Sequence, residues 1–194
     1  MKFRSKEDGD KDLFKSNRDL LRIFEYRGNL LLQKSGMALS MKMASKEEGQ
    51  TSIDIWNQTQ VFHLNDLAKA YGEIFIVNQF YEFFNSKMYK DQSNYGNDSA
   101  ECMDLLFKLY CYNKINQDLG TFRENDFLTS EDGARIRELL CETCSKLKRH
   151  VVSLVDTFAP SEPLMDSMIA RGEGDLYNSI LSKVYTAKGV FEIS

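Results

Sequence analysis

Residues 64–84 read LNDLAKAYGEIFIVNQFYEFF, and this stretch decides the fold. Apolar side chains recur here at the three- and four-residue spacing of one helix face. The members of that face are Leu64, Leu67, Tyr71, Ile74, Tyr81 and Phe84. From 74 to 84 the segment is apolar nearly all round, and no turn residues bracket it as they would bracket a strand. The pattern therefore predicts a long helix, from Thr51 or Ser52 to about Met88, that is central and buried.

The composition of the whole chain also favours helices. The chain has 194 residues, of which 42% are apolar and 28% charged, which suits one domain with an ample core. Two residues are proline, whereas average usage would give roughly ten. A β-sandwich or barrel needs a turn about every 8–12 residues. Eleven glycines and two prolines do not supply so many turns.

The helical spacing outside this segment predicts further helices. One runs from about Ser16 to Glu48 and is closed by Gly49; a third runs from Asp98 or Ser99 to about Leu119, where Gly120 stops it. Inside the first helix lie two glycines, Gly28 and Gly36, which mark either local irregularity or a close crossing with another helix.

A fourth helix begins at Ser130. Its apolar stripe is close to an unbroken heptad-like seam up to Phe158, after which Pro160 and Pro163 end it. Asp175 caps a last, short helix over 176–187. The predicted fold class is all-α, a bundle of four long, mostly antiparallel helices plus short C-terminal helices. Residues 1–12 are expected to form a flexible charged tail, and residues 13–194 one helical domain.

Charge and hydropathy exclude several classes of function. The net charge is −4, which argues against nucleic acid as the main partner. No run approaches the roughly eighteen apolar residues that a membrane span needs. The N-terminal residues contain no apolar leader, so secretion is not expected. The four cysteines are therefore expected to be reduced and buried.

Residues that carry chemistry are few. Cys141 and Cys144 form a CxxC, but a second pair at zinc-site spacing is missing, and buried structural cysteines are the favoured interpretation. His63 has no ligand partner nearby, and His150 is interpreted as a solvated or helix-end histidine. There is no phosphate-binding glycine loop and no Glu-x-x-His pair of a di-iron bundle. The sequence predicts no catalytic residue and no metal site.

Two segments resemble a known family. Residues 144–184 contain LKRHVVSLVDTF at 147–158, a proline-containing link at 159–167 and ARGEGDLY at 170–177. This order resembles the C-terminal end of peroxisomal acyl-CoA oxidases, and WNQTQVFHLNDLAKAYGEIFIVNQF at 56–80 resembles an upstream segment of the same family. The resemblance covers about residues 12–194 and is nearer to the branched-chain, pristanoyl-CoA type.

The resemblance implies a place in fatty-acid β-oxidation. In that family FAD takes part in the α,β-dehydrogenation of an acyl-CoA, and O₂ reoxidises the flavin with release of H₂O₂. The chain would be the helical C-terminal domain, similar to the C-terminal domains of acyl-CoA dehydrogenases and oxidases. The family's catalytic glutamate and its FAD-binding β-domain lie in other parts of the protein. The resemblance therefore implies no catalytic residue here, and no FAD bound by this chain alone.

The resemblance also implies partners, a structural motif and a compartment. The partners would be the catalytic portion of the oxidase, a second subunit of a homodimer, or both, with acyl-CoA bound in the full protein. Arg171, Gly174, Asp175 and Tyr177 match the closing motif and are expected to lock the last helix. Many members end in Ser-Lys-Leu, a peroxisomal address, whereas this sequence ends in Phe-Glu-Ile-Ser, which leaves a cytoplasmic location open.

Three hypotheses about function remain open at this point. The first is the C-terminal domain of an oxidase; the second is a non-enzymatic helical interaction module or a truncated oxidase-like isoform. The third is an unrelated helical scaffold. The first two predict an exposed apolar patch of several hundred Å², on the order of the largest patches of soluble proteins.

Overall fold

The computed structural model describes residues 13–86, 96–160, 164 and 174–186, and every regular element in these ranges is helical. The helices are α1 (Asn17–Ala44), α2 (Ser52–Thr59), α3 (Asn65–Asn85), α4 (Asn97–Gln117), α5 (Leu119–Glu124), α6 (Ser130–Leu147), α7 (Val151–Phe158) and α8 (Leu176–Thr186). A π-helical segment, Gln60–Leu64, joins α2 to α3, and a 3₁₀ turn, Lys148–His150, joins α6 to α7. The all-α prediction is confirmed.

The chain divides into two compact units, Met1–Lys148 and Arg149–Ser194. The first unit contains α1 to α6, and the second contains α7 and α8. None of the helices in the described ranges combines the length and the hydropathy needed to cross a membrane. The prediction of a single domain over 13–194 stays a prediction.

We call α2, the π-helical segment and α3 together the α2–α3 rod. The helix α1 packs antiparallel to this rod. Successive contacts run in opposite directions along the two helices: Arg27 pairs with Glu73, and the Ser35 hydroxyl donates to the carbonyl of His63 at 3.2 Å. Further along α1, the ammonium of Lys42 donates to the carbonyl of Gln58 at 2.9 Å.

Gly28 lies directly against the Ile74 side chain of α3. A Cβ atom added at Gly28 would overlap with Cδ1 of Ile74, whereas one added at Gly36 would meet nothing within 4 Å. Glycine in a helix interior costs about 1 kcal/mol relative to alanine, so a packing reason is expected for it. The contact with Ile74 supports the close-crossing interpretation at Gly28, and Gly36 has no such contact.

The helix α4 completes the bundle and packs against α3. Lys114 of α4 pairs with Glu73 at 3.0 Å, and Phe107 packs against Phe80 and Phe84, so α3 and α4 are antiparallel. The helix α6 packs against α4 in turn. Between these helices lies one core cluster, whose buried members are Phe14, Leu20, Leu21, Ile23, Phe24, Val77, Phe107, Cys111, Tyr112, Ile115, Phe122, Leu128 and Ile136.

Two capping boxes define helix starts. Thr51 precedes α2 and exchanges hydrogen bonds with Asp54, and Thr129 precedes α6 and does the same with Asp132. Each box satisfies backbone N–H groups that the first turn leaves unpaired. The predicted starts at Ser52 and Ser130 are confirmed.

Several predicted helix ends are wrong. The helix α1 stops at Ala44 rather than Glu48, because the chain turns there before Gly49, whose φ is 93°. Gly120 does not stop the third helix; the break is at Asp118, and Gly120 lies inside α5. The second helix ends at Asn85 because Ser86 is extended.

The unbroken seam from Ile136 to Phe158 is also wrong. The 3₁₀ turn at 148–150 interrupts it, and the helix phase changes there. Before the turn, Ile136 and Leu147 are buried, whereas after it Phe158 is 84% exposed. Periodicity predicted the apolar residues but not the interruption.

The expectation that the 74–84 segment is buried is only half right. Val77 is fully buried, and Ile74 and Phe80 are half-buried. Phe75 and Ile76 on the opposite side are exposed. Within the described ranges, the neighbours of α3 cover one side of it and leave the other open.

Candidate functional site

An apolar groove lies between α1 and the α2–α3 rod. It has a volume of about 730 Å³ and is lined by Glu25, Gly28, Asn29, Leu32, Trp56, Leu64, Leu67, Ala68, Tyr71 and Ile74. We call it the α1–α3 groove. Volumes of this size are typical of small-molecule and peptide sites.

The walls of the groove follow from the Gly28 crossing. Because Gly28 has no side chain, α1 lies directly against Ile74 of α3, and both residues line the groove. The π-helical segment at 60–64 contains an extra residue per turn, which shifts the phase of α2 relative to α3. Trp56 and Tyr71 thereby both reach the groove.

Exposed apolar side chains extend beyond the groove on the same three helices. Tyr71 is 72% exposed and Phe62 is 77% exposed. The others are Leu32, Met37, Met41, Ile53, Trp56, Val61, Phe75 and Ile76. Single exposed apolar residues are ordinary, but such a concentration on neighbouring helices is typical of an interaction surface. These residues are the candidate members of the apolar patch predicted from the sequence, and the patch itself stays a prediction.

A cluster of ion pairs around the buried Arg27 joins α1, α3 and α4. The guanidinium of Arg27 is 2% exposed, bridges the carboxylates of Glu73 and Asp118, and lies over the ring of Phe24. Lys114 also contacts Glu73. Sequence reasoning missed this cluster, because its members are 46 and 91 residues from Arg27 and share no motif.

The charged side chains of the cluster stabilise one another's ionised forms. Burial by itself raises the pKa of Glu73, but the hydrogen bonds from Arg27 and Lys114 outweigh it and hold that pKa below its ordinary value. The hydrogen bond with Glu73 likewise raises the pKa of Lys114. A buried charge needs such partners, so the cluster serves to fix α1, α3 and α4.

The residues of the closing motif are only partly described. Arg171 lies outside the described residues, and so does Pro163. Gly174 has φ of 69°, in the left-handed region that favours glycine, and Asp175 precedes the first residue of α8. The Asp175 carboxylate accepts a hydrogen bond from Asn178 at 2.9 Å. Tyr177 is 79% exposed, and the proposed lock stays a prediction.

Two of the four cysteines differ from their predicted setting. Cys102 and Cys111 are buried as expected, but Cys141 and Cys144 are both exposed, so their interpretation as buried structural residues is wrong. The stripe that faces the core runs through Thr143 and Leu147, which turns the two cysteines outward.

The histidines do not form a site. His63 lies in the π-helical segment, and His150 accepts a hydrogen bond from Arg149 at the end of the 3₁₀ turn. Among the described residues, no group of three or more His, Cys, Asp or Glu side chains is arranged to hold a metal ion.

The α1–α3 groove does not fit FAD. A flavin dinucleotide carries a diphosphate, which needs cationic side chains or backbone N–H groups at a helix N-terminus. The charged residue that lines the groove is Glu25, an anion, and the remaining polar side chains are those of Asn29 and Tyr71. The groove instead suits an apolar side chain or helix face.

Comparison with known proteins places these features in a family. The family model described as acyl-CoA oxidase matches residues 16–192. Peroxisomal acyl-coenzyme A oxidase 3 of Homo sapiens is 26% identical over 148 residues, which is 76% of this chain and 20% of that protein. Acyl-coenzyme A oxidase 3 of Yarrowia lipolytica is 28% identical over 60% of this chain and 16% of that protein.

A third relative extends the coverage. Peroxisomal acyl-coenzyme A oxidase 1 of Dictyostelium discoideum is 22% identical over 83% of this chain and 22% of that protein. No solved structure gives a significant match. The chain thus spans about a fifth of the length of these curated relatives. With its helical fold and a family match over nearly its whole length, this chain belongs to the acyl-CoA oxidase family.

Proposed function

We propose that this chain is the helical C-terminal domain of a flavin-dependent acyl-CoA oxidase and that it packs on the catalytic portion through the α1–α3 groove. The observation that carries the proposal is the apolar groove and the exposed aromatic residues beside it, on a chain whose family match covers residues 16–192. The oxidase would convert acyl-CoA and O₂ into trans-2-enoyl-CoA and H₂O₂.

The chemistry of the described residues supports a packing role rather than a catalytic one. Glu73 and Lys114, whose pKa values are shifted, pair with each other, and Glu73 also pairs with the buried Arg27, so these charges form ion pairs between helices. The groove itself is almost wholly apolar. We therefore propose that the catalytic base and the flavin site belong to the catalytic portion, and that the compartment is the peroxisome, as the names of several relatives state.

The test combines this chain with a separately produced catalytic portion of an acyl-CoA oxidase. We expect a complex in which flavin-dependent H₂O₂ release from an acyl-CoA rises above that of the catalytic portion alone. Leu32→Asp and Tyr71→Asp place charges on the groove, and each should weaken association at least about tenfold, since desolvating an unpaired charge costs several kcal/mol.

The matched control is Val152→Asp, which places the same charge on an exposed residue of α7 in the second unit. It should leave association unchanged. Equal effects of all three substitutions, or no association at all with the catalytic portion, would contradict the proposed packing site.

The alternative function is a non-enzymatic helical interaction module. The same exposed apolar surface favours it, because that surface is present whether or not an oxidase is the partner. Association without any change in H₂O₂ release would support this alternative. A homodimer formed through the groove, detected by sedimentation equilibrium, would indicate a second copy of the chain as the partner.

A further inference from the structure

The four cysteines fall into two classes that the sequence did not separate. Cys141 and Cys144 are exposed on α6, whereas Cys102 and Cys111 are buried in the first unit. Burial raises the pKa of the Cys111 thiol, which disfavours its nucleophilic thiolate form. Exposed thiols are directly accessible to reagents in solution. The chain therefore contains one accessible pair and one buried pair.

The accessible pair lies in a stripe with cationic ends. Arg137 precedes Cys141 by one helical turn, and Lys148 follows Cys144 by one turn, and both are exposed. Residues three and four positions apart share a helix face, so these four side chains follow one line along α6 and its end. Such a stripe attracts anionic reagents.

The nearby carboxylates do not cancel this charge. Glu138 and Glu142 lie within ion-pair distance of Arg135, at 3.2 Å and 3.5 Å respectively. Arg135 thus neutralises part of their negative charge on the adjoining face of α6. The side of the helix that holds the thiols keeps its positive character.

A bond between the two thiols requires local tightening of the helix and would be strained. Cβ atoms three residues apart on an α-helix are about 5–6 Å apart, whereas a disulfide needs about 3.5–4.5 Å. Tighter 3₁₀ winding brings such side chains into register, and α6 passes into a 3₁₀ turn at Lys148–His150, directly beyond the last turn that holds Cys144. Strained, exposed disulfides are readily reduced and are typical of reversible rather than structural bonds.

We propose that Cys141 and Cys144 form a reversible dithiol–disulfide site whose oxidant is a small anionic disulfide of the glutathione type. One cysteine thiolate attacks a sulfur of the oxidant, forms a mixed disulfide and releases one glutathione thiolate. The other cysteine attacks the protein-side sulfur of that bond, closes the intrahelical disulfide and releases the second glutathione thiolate. The two thiol protons pass to the released thiolates, so the protein pair loses two electrons and one glutathione disulfide becomes two glutathione molecules.

The test treats the full chain with glutathione disulfide and follows it by intact-mass spectrometry and peptide mapping without reductant. We expect a product that has lost two hydrogen atoms, with the bond mapped to Cys141 and Cys144 and reversed by reduced glutathione. In Cys141→Ser the reaction should stop at a glutathione adduct on Cys144, because no second thiol remains to displace it. The Cys102→Ala control should form the same internal bond as the unchanged chain.

Two further measurements separate reactivity from unfolding. Without denaturant, maleimide should label Cys141 and Cys144 at least about tenfold faster than Cys111. Lys148→Gln should slow the reaction with glutathione disulfide while leaving maleimide labelling unchanged, because maleimide is uncharged. Lasting glutathione adducts on the unchanged chain, disulfides between two chains, or equal labelling of all four cysteines would each overturn the proposal.

Discussion

At the scale of single residues, two features decide how the first unit packs. Gly28 allows α1 and α3 to touch, and Arg27 beside it ties α1 to α3 and to Asp118 after α4. The two residues are adjacent on α1, so the close contact and the charge pairing occur at the same place along the helix. The sequence shows Gly28 as a glycine inside a predicted helix, where local propensity gives no reason for it. The charge cluster could not be predicted in this way, because it forms only when three distant segments pack together.

Substitutions at the two glycines of α1 should have opposite effects. Gly36→Ala should raise the free energy of unfolding by up to about 1 kcal/mol, because alanine favours the helix and meets nothing at that position. Gly28→Val should lower it by about 1–3 kcal/mol, because its side chain overlaps with Ile74. Urea unfolding followed by circular dichroism measures both. A stabilised Gly28→Val would contradict the close crossing.

The Glu73 carboxylate should make stability depend on pH on the acid side. Its pKa is held below the ordinary value of 4.5 in the folded chain, so its contribution is complete above that pH and is lost as the pH falls through the folded value. Glu73→Gln should lower the free energy of unfolding by roughly 1–3 kcal/mol at neutral pH. The difference from the unchanged chain should shrink below about pH 4.5.

Denaturant unfolding at a series of pH values measures this dependence. Glu138→Gln is the matched control, because Glu138 forms an exposed ion pair with Arg135 on α6. Exposed pairs contribute little, so this variant should stay within about 0.5 kcal/mol of the unchanged chain at every pH. A constant Glu73→Gln difference down to low pH would contradict the assignment.

At the scale of elements, interruptions of helices matter more than their number. The second predicted helix contains a π-helical segment, the third is divided at Asp118, and the fourth is divided by the 3₁₀ turn at 148–150. Each interruption changes which side chains face the core. Apolar periodicity continues across these points in the sequence, since a change of phase of less than one turn leaves the spacing nearly intact.

The divided fourth helix should respond unequally to truncation of its apolar residues. Ile136→Ala should lower the free energy of unfolding by about 2–5 kcal/mol, because Ile136 is fully buried in α6. Phe158→Ala should change it by no more than about 0.5 kcal/mol, because that ring is exposed on α7. Thermal unfolding of the two variants compares them directly. Similar losses of stability in the two variants would instead support the continuous seam that periodicity predicted.

At the scale of the whole molecule, the chain consists of two compact units, and the described hydrophobic cluster belongs to the first of them. Every fully buried residue of the described hydrophobic cluster lies between Phe14 and Ile136, within the first unit. The second unit has exposed apolar residues on both of its described helices, such as Val152 and Tyr185. The first unit therefore contains the material for independent folding.

A chain that ends at Lys148 tests this inference. We expect it to keep a cooperative thermal transition and the helical circular dichroism signal of α1 to α6, because its core is complete. A loss of cooperativity, with signal at the level of an unfolded chain, would show instead that residues 13–194 fold as a single domain. The same chain should keep its association with the catalytic portion if the α1–α3 groove is the contact.

Much of the fold was determined by the sequence alone. The scarcity of proline, the apolar spacing and the Thr51 and Ser130 starts predicted an all-α bundle, because these properties depend on neighbouring residues. The family resemblance also depended on short segments in order, and the family match over 16–192 confirms it. Local propensity and motif order are properties of the chain itself.

The tertiary structure decided what these helices present to the outside. It showed that one side of α3 is open, that the α1–α3 groove exists beside Gly28, and that Cys141 and Cys144 are exposed. It also brought Arg27, Glu73, Lys114 and Asp118 together. These outcomes depend on which helix faces pack together. The sequence pattern of an apolar residue on a helix is the same whether or not a neighbouring helix covers it.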